Sequence, residues 1–369
     1  MGDATNGTDS YFLSYEDLEV HKLMIQDSAR TEAYRKAILS NRQVFEGKTV
    51  LDVGAGTGLL SIFCAQAGAS KVYAVEASNT SELARKVIEE NHFSDIIDVV
   101  NSKVENLTLP YQVNVIVSEW MGFYLLHESM LDSVLYARDT FLRPDGCMFP
   151  SHCALYASPC SLPQMYSDFD EVSGVKLRKF AEALRKSYLN RPKVMTISSE
   201  NILATSAKPI FMLDLLQCQV DTLNEIVAEK CLSVVDKTGI YQGVCFWFDV
   251  KFPTDDCTLS TAPTCPETHW KQTIIVLPAQ MDVEEGDAVM FNVKLTRNDS
   301  NKRYYNISLD MLDAEHETHP TPCSCNYTKC KIIKTFLSVT ENISDDDDEE
   351  DDEEDECIIV EEKTPEEET

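Results

Sequence analysis

Two glutamates, Glu119 and Glu128, bracket a mostly apolar stretch with the sequence SEWMGFYLLHE, which begins at Ser118. Carboxylates turned inward among aromatic side chains are costly unless they meet a cation. A guanidinium is the natural partner, because it is planar and can pair bidentately with each carboxylate. Two carboxylates that hold an arginine rigidly and bias its charge would prepare one terminal nitrogen to attack an electrophile. Each glutamate alone would usually be a surface acid, but the pair beside Trp120 favours a guanidinium site.

A glycine-rich turn, LDVGAGTG, places Gly54, Gly56 and Gly58 between a strand pattern and a helix pattern. Glycine allows a tight turn and a close approach of the backbone to a ligand. Glu76 ends the next strand, where an acid commonly bonds ribose hydroxyls. The G-x-G-x-G spacing differs from the dinucleotide G-x-G-x-x-G, and Asp52 favours a cationic ligand such as a sulfonium over a pyrophosphate. The turn therefore predicts a nucleotide-type cofactor, although a purely structural glycine turn is the alternative.

Both motifs fit one scaffold, because strand and helix patterns alternate between residues 49 and 117, as in a doubly wound parallel sheet. The glycine turn and Glu119 each follow a predicted strand directly. They therefore lie at the carboxyl edge of the sheet, where open α/β folds bind ligands. The predicted strands are Thr49–Val53, Lys71–Ala77, Ile97–Val100 and Val113–Val117, and the predicted helices are Leu59–Ala67, Ser81–Asn91 and an N-terminal stretch from Tyr11 to Ser40.

After Pro150 the pattern changes to strand-like pieces such as FWFDVKF and AVMFNVKL, which predict an antiparallel β domain. A basic, amphipathic helical stretch interrupts it, and such a segment either packs on the core or docks a partner. The predicted organisation is N-terminal helices in residues 1–45, a Rossmann-like domain in 46–150, a β domain in 151–340 with a helical arm at about 165–192, and a disordered acidic tail in 341–369.

The net charge of −30 is concentrated near the carboxyl end. The last 26 residues contain 17 Asp and Glu against one Lys, which gives −16 and leaves −14 for the rest. This charge argues against direct nucleic-acid binding and favours basic partners. No long apolar run predicts a membrane span, and the first 20 residues lack the pattern of a signal peptide. The location predicted from these features is the nucleus and cytoplasm.

Thirteen cysteines are scattered without a disulfide framework, so we expect reduced thiols. Cys323, Cys325 and Cys330 form the tightest group. A zinc site would need a paired spacing and a fourth ligand. Neither is obvious in the sequence, so we expect buried strand cysteines there and no metal site.

Several motifs together resemble the protein arginine N-methyltransferase family. They are YFLSY, VLDVGAGTG, VYAVEAS, SEWMG followed by HESML, and ETHWKQT, and the similarity is continuous from about Tyr11 to Leu337. The resemblance implies N-terminal helices over the cofactor, a Rossmann-like S-adenosylmethionine-dependent methyltransferase domain, and an antiparallel β-barrel with a helical dimerisation arm. It also implies a cis peptide before Pro150 at the domain junction. The arm and the acidic tail depart from the usual family pattern.

The resemblance assigns one set of residues to S-adenosyl-L-methionine. It implies that Glu76 binds the ribose, Glu105 lies near the adenine, and Arg30 pairs with the methionine carboxylate. Met24 and Met130 match two methionines that shape the pocket in members forming asymmetric dimethylarginine, so this product is expected. The remaining cofactor positions are Tyr15, in the N-terminal helix that covers the cofactor, and the turn residues Asp52, Gly54 and Gly56.

A second set is implied for catalysis. Glu119 and Glu128 match the pair that binds the substrate guanidinium. His269, in the THW motif, matches a histidine that pairs with an acid, here Asp27, and relays the released proton. The HESML motif, which contains His127, is most similar to the small nuclear branch of the family that modifies histone tails.

The resulting hypothesis is a homodimeric protein arginine N-methyltransferase that uses S-adenosyl-L-methionine and forms mono- and asymmetric dimethylarginine on histone tails or Gly/Arg-rich proteins. The alternative is a weakly active member that binds basic or SUMO-bearing partners through its acidic tail. Cys357–Val360 in that tail, CIIV, resembles a SUMO-interacting motif that adds a strand to a partner's sheet. A nicotinamide-dependent oxidoreductase would share the glycine turn but would explain neither the two-glutamate loop nor the THW motif.

Overall fold

A computed structural model describes residues 15, 17–167, 171–189, 191–253 and 257–344. The chain divides into two compact units, residues 1–318 and 319–369, which are described separately. Predictions that concern Tyr11, the acidic run after residue 344, and Cys357–Val360 lie outside the described residues. No helix in the described ranges has the length and apolar character to cross a membrane.

The described part of the N-terminal stretch forms three helices: α1 (Leu18–Gln26), α2 (Ser28–Leu39) and α3 (Arg42–Phe45). The sequence predicts one helical stretch here, but Asp27 interrupts it with an extended backbone, φ −70° and ψ 91°. The Asp27 carboxylate accepts a hydrogen bond from the Arg30 N–H at 2.9 Å. Asp27 is therefore the N-cap of α2, a position at which aspartate stabilises a helix by satisfying an unpaired amide.

The Rossmann-like sheet has five parallel strands in the order β3-β2-β1-β4-β5. The predicted strands and helices are present within a residue or so at each end, and a fifth strand ends at the cis peptide between Phe149 and Pro150. The bounds are β1 Thr49–Val53, α4 Leu59–Gln66, β2 Lys71–Glu76, α5 Thr80–Glu90, β3 Ile97–Asn101, β4 Val113–Val117, α6 Leu131–Phe141 and β5 Leu142–Phe149.

The β domain follows from β6 (His152–Cys160). All the strand-like pieces recognised in the sequence form strands, and several shorter strands join them. A six-stranded sheet contains β10-β6-β12-β14-β9 with β13 paired to β12, and a three-stranded sheet has the order β11-β15-β16. Together they form the antiparallel barrel. The bounds are β9 Lys193–Met195, β10 Pro209–Asp214, β11 Glu225–Val234, β12 Gly239–Lys251, β13 Thr258–Ser260, β14 Gln272–Val283, β15 Ala288–Arg297 and β16 Tyr305–Leu312.

The predicted arm contains two helices and a small hairpin within its described residues, 163–167 and 171–189. Its elements are α7 (Pro163–Ser167), β7 (Glu171–Val172), β8 (Val175–Lys176) and α8 (Arg178–Tyr188). The β7–β8 turn contains Gly174 at φ +81°, in the left-handed region that glycine adopts without strain. The hairpin was missed because its strands have only two residues each.

The second unit contains one regular element, helix α9 (Thr328–Ser344), within its described part. The sequence analysis placed residues up to 340 in the β domain and the tail from residue 341. The last barrel strand instead ends at Leu312, and α9 extends into the segment expected to be disordered.

Candidate active site

A cavity of about 380 Å³ opens at the carboxyl edge of the parallel sheet, within the range typical of ligand sites. It lies between the glycine turn after β1, the end of β2, the two-glutamate loop after β4, and helix α1. All the predicted site residues line it except Asp27 and Asp52: Tyr15, Met24, Arg30, Gly54, Gly56, Glu76, Glu105, Glu119, Glu128, Met130 and His269. The fold thus brings together residues that are up to 254 positions apart in the sequence, from Tyr15 to His269.

The glycine turn is built for a close approach of the backbone. Gly54, Gly56 and Gly58 have φ values of +75°, +54° and +84°, which other residues rarely adopt. A Cβ on Gly54 would lie 2.3 Å from the Cε atom of Met130. The Glu76 carboxylate holds the turn in place, because it accepts the Gly56 N–H at 2.9 Å.

Asp52 lies at the end of β1, as predicted, but it does not face the cofactor cavity. Its side chain is fully buried beneath the turn and does not line the cavity. The Ser61 hydroxyl, on α4, donates a hydrogen bond of 2.6 Å to the Asp52 carboxylate. Burial raises the pKa of Asp52 to about 7, despite that hydrogen bond, and the nearby Glu76 charge acts in the same direction as burial. Its position therefore supports the turn and does not support direct contact with a ligand.

Glu119 is paired with a guanidinium of the protein itself. Arg30 contacts Glu119 Oε2 through Nε at 2.8 Å and through Nη2 at 2.7 Å, and both side chains are buried. Burial lowers the pKa of Arg30, but its interaction with the Glu119 charge outweighs this effect, so the net pKa is raised. Arg30 therefore pairs with Glu119 within the chain, and its pairing with a methionine carboxylate of the cofactor stays a prediction.

Glu128 lies on a tightly constrained loop. Its φ is +74° and that of Ser129 is +52°, in the left-handed region. Such a conformation costs of order 1–3 kcal/mol and is common at functional sites. The Glu128 N–H donates to the carbonyl of Arg303 at 2.7 Å, and Arg303 Nη1 donates to the Glu128 carbonyl at 2.9 Å. The hydroxyl of Tyr15 donates to Glu128 Oε2 at 2.6 Å, so the N-terminal segment contacts this carboxylate directly.

His269 and Asp27 form the predicted pair. Asp27 Oδ2 lies 2.7 Å from His269 Nδ1 and also accepts the His269 N–H at 2.8 Å. Burial tends to raise the pKa of Asp27, but hydrogen bonds from the His269 side chain and from backbone amides outweigh it and lower the pKa. Because Nδ1 faces Asp27, Nε2 is the ring nitrogen available on the opposite side. The neighbouring Trp270 Nε1 donates to the Met121 carbonyl at 2.8 Å and ties the THW motif to the two-glutamate loop.

Comparison with known proteins agrees with this geometry. Residues 50–146 match a methyltransferase domain, and residues 152–313 match the arginine methyltransferase oligomerization subdomain. Protein arginine N-methyltransferase 6 of Danio rerio is 39% identical over 318 residues, covering 84% of this chain and 90% of the relative.

The chain belongs to the protein arginine N-methyltransferase family. Two solved structures of the family are also similar. Protein arginine methyltransferase 10 of Arabidopsis thaliana has a TM-score of 0.74 at 34% identity, covering 82% of this chain and 94% of that one. The PRMT1 enzyme–prozyme heterotetrameric complex of Trypanosoma brucei with AdoHcy has a TM-score of 0.74 at 32% identity, covering 83% and 98%. These findings confirm the predicted fold class and the activity of protein arginine methylation, with S-adenosyl-L-methionine as the methyl donor.

The cavity of this arginine methyltransferase fits that donor. The glycine turn offers backbone without side chains, and Glu76 ends β2 on the cavity wall. Glu105 lies at the rim, where it accepts a hydrogen bond of 2.6 Å from the Ser133 hydroxyl. Met24 and Met130 line the same cavity. These residues would hold the donor, and the donor would supply a methyl group activated on a sulfonium.

Two residues escaped the sequence analysis. Arg303 lines the cavity and holds the Glu128 backbone through two hydrogen bonds, one from its own side chain to the Glu128 carbonyl and one from the Glu128 N–H to its carbonyl. Nothing in NKRYY marks this arginine as different from surface residues. In the second unit, His319 lies beside Cys323, Cys325 and Cys330. The sequence offers no obvious fourth ligand beside these cysteines, whereas the structure places His319 next to them; the segment reads H-x3-C-x-C-x4-C, a spacing without paired cysteines.

Proposed function

We propose that this arginine methyltransferase acts on arginines of basic proteins, such as histone tails or Gly/Arg-rich proteins, and forms mono- and asymmetric dimethylarginine. The observation that carries the proposal is the Arg30–Glu119 pair beside the cofactor cavity. The pair supports the proposal, because it places the carboxylate of Glu119 in contact with a planar guanidinium, here that of Arg30. Glu128 lies on the same cavity wall, so two acids face the space that a substrate arginine would enter.

The residues of the chain divide the work of methyl transfer. A bond forms between a terminal guanidino nitrogen and the methyl carbon as the sulfur–methyl bond breaks. Glu119 and Glu128 orient the guanidinium and bias its positive charge away from the attacking nitrogen. The methylated guanidinium then releases a proton. His269 Nε2 accepts it, because Asp27 fixes the other face of the ring through Nδ1.

The choice of product rests on the methionines that line the cavity. Met24 lies on α1, and Met130 directly precedes α6. Unbranched thioether side chains leave room for a second methyl group on the same nitrogen and adapt to its shape. We expect Met24→Phe to shift the product from asymmetric dimethylarginine toward monomethylarginine, measured by mass spectrometry of a Gly/Arg-rich peptide. Unchanged product ratios at reduced rate would contradict this role of Met24.

Charge supports a basic substrate. The net charge of −30 accelerates association with basic chains. Salt screens this attraction, so the acceleration decreases as ionic strength rises. We place the enzyme in the nucleus and cytoplasm on the basis of these substrates and the reduced cysteines. Binding of SUMO-bearing partners through Cys357–Val360 is part of the same proposal and would add to methylation without replacing it.

We further propose a homodimer in which the arm docks on α1 and its surroundings in a second copy. Leu18 on α1 is 61% exposed, and Phe180 on α8 is 53% exposed. Two exposed apolar surfaces of one chain can cover each other in a symmetric dimer. The match of residues 152–313 to an oligomerization subdomain agrees with this arrangement. Light scattering should give twice the chain mass for the native protein and the single mass for Phe180→Glu.

The decisive test of activity uses labelled S-adenosyl-L-methionine with core histones and a Gly/Arg-rich peptide, comparing native protein with Glu128→Gln. Loss of one charge from a buried pair costs about 2–5 kcal/mol, so the rate should fall by about 30- to 5000-fold. Glu90→Gln, an exposed acid on α5, is the matched control and should retain the native rate. No transfer to any arginine substrate by native protein that binds the donor would favour the binding-protein alternative instead.

A further inference from the structure

The second unit brings four potential metal ligands together. His319 Nδ1 and the sulfurs of Cys323, Cys325 and Cys330 all lie within 4.8 Å of one another. The distances from His319 Nδ1 to the three sulfurs are 3.5, 3.3 and 3.2 Å, in that order. The three cysteines are buried and free of disulfide bonds. All four residues belong to residues 319–330, so the cluster is complete within one short segment.

Hydrogen bonding alone does not explain this convergence. One imidazole nitrogen has a single lone pair and accepts one good hydrogen bond, whereas three sulfurs point at it here. The thiols also contact one another, since Cys323 is hydrogen-bonded to Cys325 and Cys330, so the four ligand atoms converge on one centre. A cation between the four atoms satisfies all of them at once.

The spacing of the ligand atoms matches a tetrahedral zinc centre. With zinc–sulfur bonds of about 2.3 Å and a zinc–nitrogen bond of about 2.05 Å, tetrahedral angles separate nitrogen from each sulfur by about 3.6 Å. The observed 3.2–3.5 Å approaches that value. Three thiolates and one imidazole are a soft donor set that selects zinc over magnesium or calcium.

We propose that His319, Cys323, Cys325 and Cys330 bind one structural Zn²⁺ ion. Four protein ligands complete the coordination, which distinguishes a structural site from a catalytic zinc that keeps an open position. In the chain, its ligands all follow residue 318, whereas the methyl-transfer residues all precede it.

The role of this zinc ion follows from the elements that supply its ligands. The backbone from His319 to Tyr327 is irregular and has no helix or strand to order it. Cys330 lies in the first turn of α9, where its N–H donates to the Tyr327 carbonyl at 3.0 Å. The His319 ring also packs at 5.8 Å from the Tyr327 ring. Metal binding would therefore join the irregular segment to the start of the helix that leads into the acidic tail.

The first experiment measures metal in the full-length native protein, purified without chelators or a histidine tag, by plasma mass spectrometry. We expect about one zinc ion per chain, as in a Cys₃His site. Cys325→Ser should lose the bound zinc, and Cys265→Ser, which changes an exposed cysteine outside the cluster, should retain it. Zinc that is absent from native protein, or that is lost equally from the Cys265 variant, would overturn the proposal.

A second measurement needs no substitution that might unfold the segment. Alkylation of native protein followed by peptide mass spectrometry should modify Cys265 rapidly and leave Cys323, Cys325 and Cys330 unmodified until a chelator is added. Modification of these three before chelation as fast as afterwards would contradict the zinc site. His319→Cys provides a conservative variant, because it should keep the metal and shift the absorption bands of cobalt-substituted protein toward those of a four-sulfur site. Loss of all metal from it would count against His319 as a ligand.

Discussion

Asp52 should make the unliganded enzyme less stable as pH rises, although it lies beneath the cofactor turn and not in the cavity. Its carboxyl is fully buried, and one oxygen is bonded to the Ser61 hydroxyl. The other oxygen, Oδ1, has no hydrogen-bond partner among the described residues. A buried carboxylate with so little compensation is costly when ionised. We expect Asp52→Asn to remove this cost and flatten the dependence of stability on pH.

The magnitude follows from the pKa. Burial raises the pKa of Asp52 to about 7, from an ordinary value of 3.8. Below about pH 4 the carboxyl is protonated in both folded and unfolded chains, so stability is unaffected. Between about pH 4 and pH 7 the unfolded chain loses the Asp52 proton and the folded chain keeps it. Each pH unit in this interval lowers the free energy of unfolding by about 1.4 kcal/mol. The total decrease is therefore about 4 kcal/mol, of which about 3 kcal/mol falls between pH 5 and pH 8.

Urea unfolding at pH 5 and pH 8, without cofactor, tests this value. At each pH, the free energy of unfolding of native protein is subtracted from that of Asp52→Asn. This difference should be about 3 kcal/mol larger at pH 8 than at pH 5, so the variant gains stability relative to native protein as pH rises. The new amide has N–H groups to bury, at about 1–3 kcal/mol if unsatisfied, but this cost is equal at both pH values and cancels. Asp95→Asn, at an exposed position on the same domain, is the control and should show no such difference.

An identical effect of Asp52→Asn at both pH values would refute the reasoning, because it would mean that the folded protein holds Asp52 ionised at pH 5. Infrared spectroscopy gives an independent reading. A protonated carboxyl band should be present in native protein at pH 6 and absent from the asparagine variant. Its absence from native protein would have the same meaning.

Two other substitutions test the packing of the glycine turn and the ion pair between Asp132 on α6 and Arg297 on β15. Gly54→Ala should weaken S-adenosylhomocysteine binding more than tenfold, as measured by titration calorimetry. The left-handed backbone costs about 1–2 kcal/mol for alanine, and the new Cβ would also meet the Met130 side chain. Gly174→Ala carries the same backbone strain in open space and should leave binding unchanged. Asp132→Asn should lower the free energy of unfolding by about 2 kcal/mol, because it breaks a charged hydrogen bond to the buried Arg297; denaturation at neutral pH that shows no change would contradict this.

The pattern of apolar residues predicted most of the parallel sheet, because β1, β2 and β4 are short and mostly apolar. It missed β5, whose sequence LRPDGCMF contains a proline, a glycine and two charged residues. The strand lies at the edge of the sheet, where a missing amide hydrogen and polar side chains are tolerated. Edge strands of this kind lack the signal that a buried strand carries.

The site was predictable where one motif contains both a functional residue and the residues around it, as in the glycine turn and the two-glutamate loop. Contacts between residues that are distant in the sequence were harder to predict. Asp52 looked like a ligand because it precedes the first glycine, but the direction of its side chain depends on the pleat of β1 and on Ser61 in α4. Arg303 joins the site only because the segment before β16 lies against Glu128. His319 needed the path of an irregular segment, which has no periodicity to read.

The N-terminal segment emerges as the element that joins the two halves of the reaction. Arg30 pairs with Glu119, Tyr15 donates to Glu128, and Asp27 both caps α2 and holds His269. Each contact satisfies a polar group of the methyl-transfer site, and all arise within sixteen residues of one another. Ordering this segment therefore positions both acids and the histidine at the same time. Any ligand that stabilises α1 over the cavity must also favour the assembled acid pair, since the two share the same contacts.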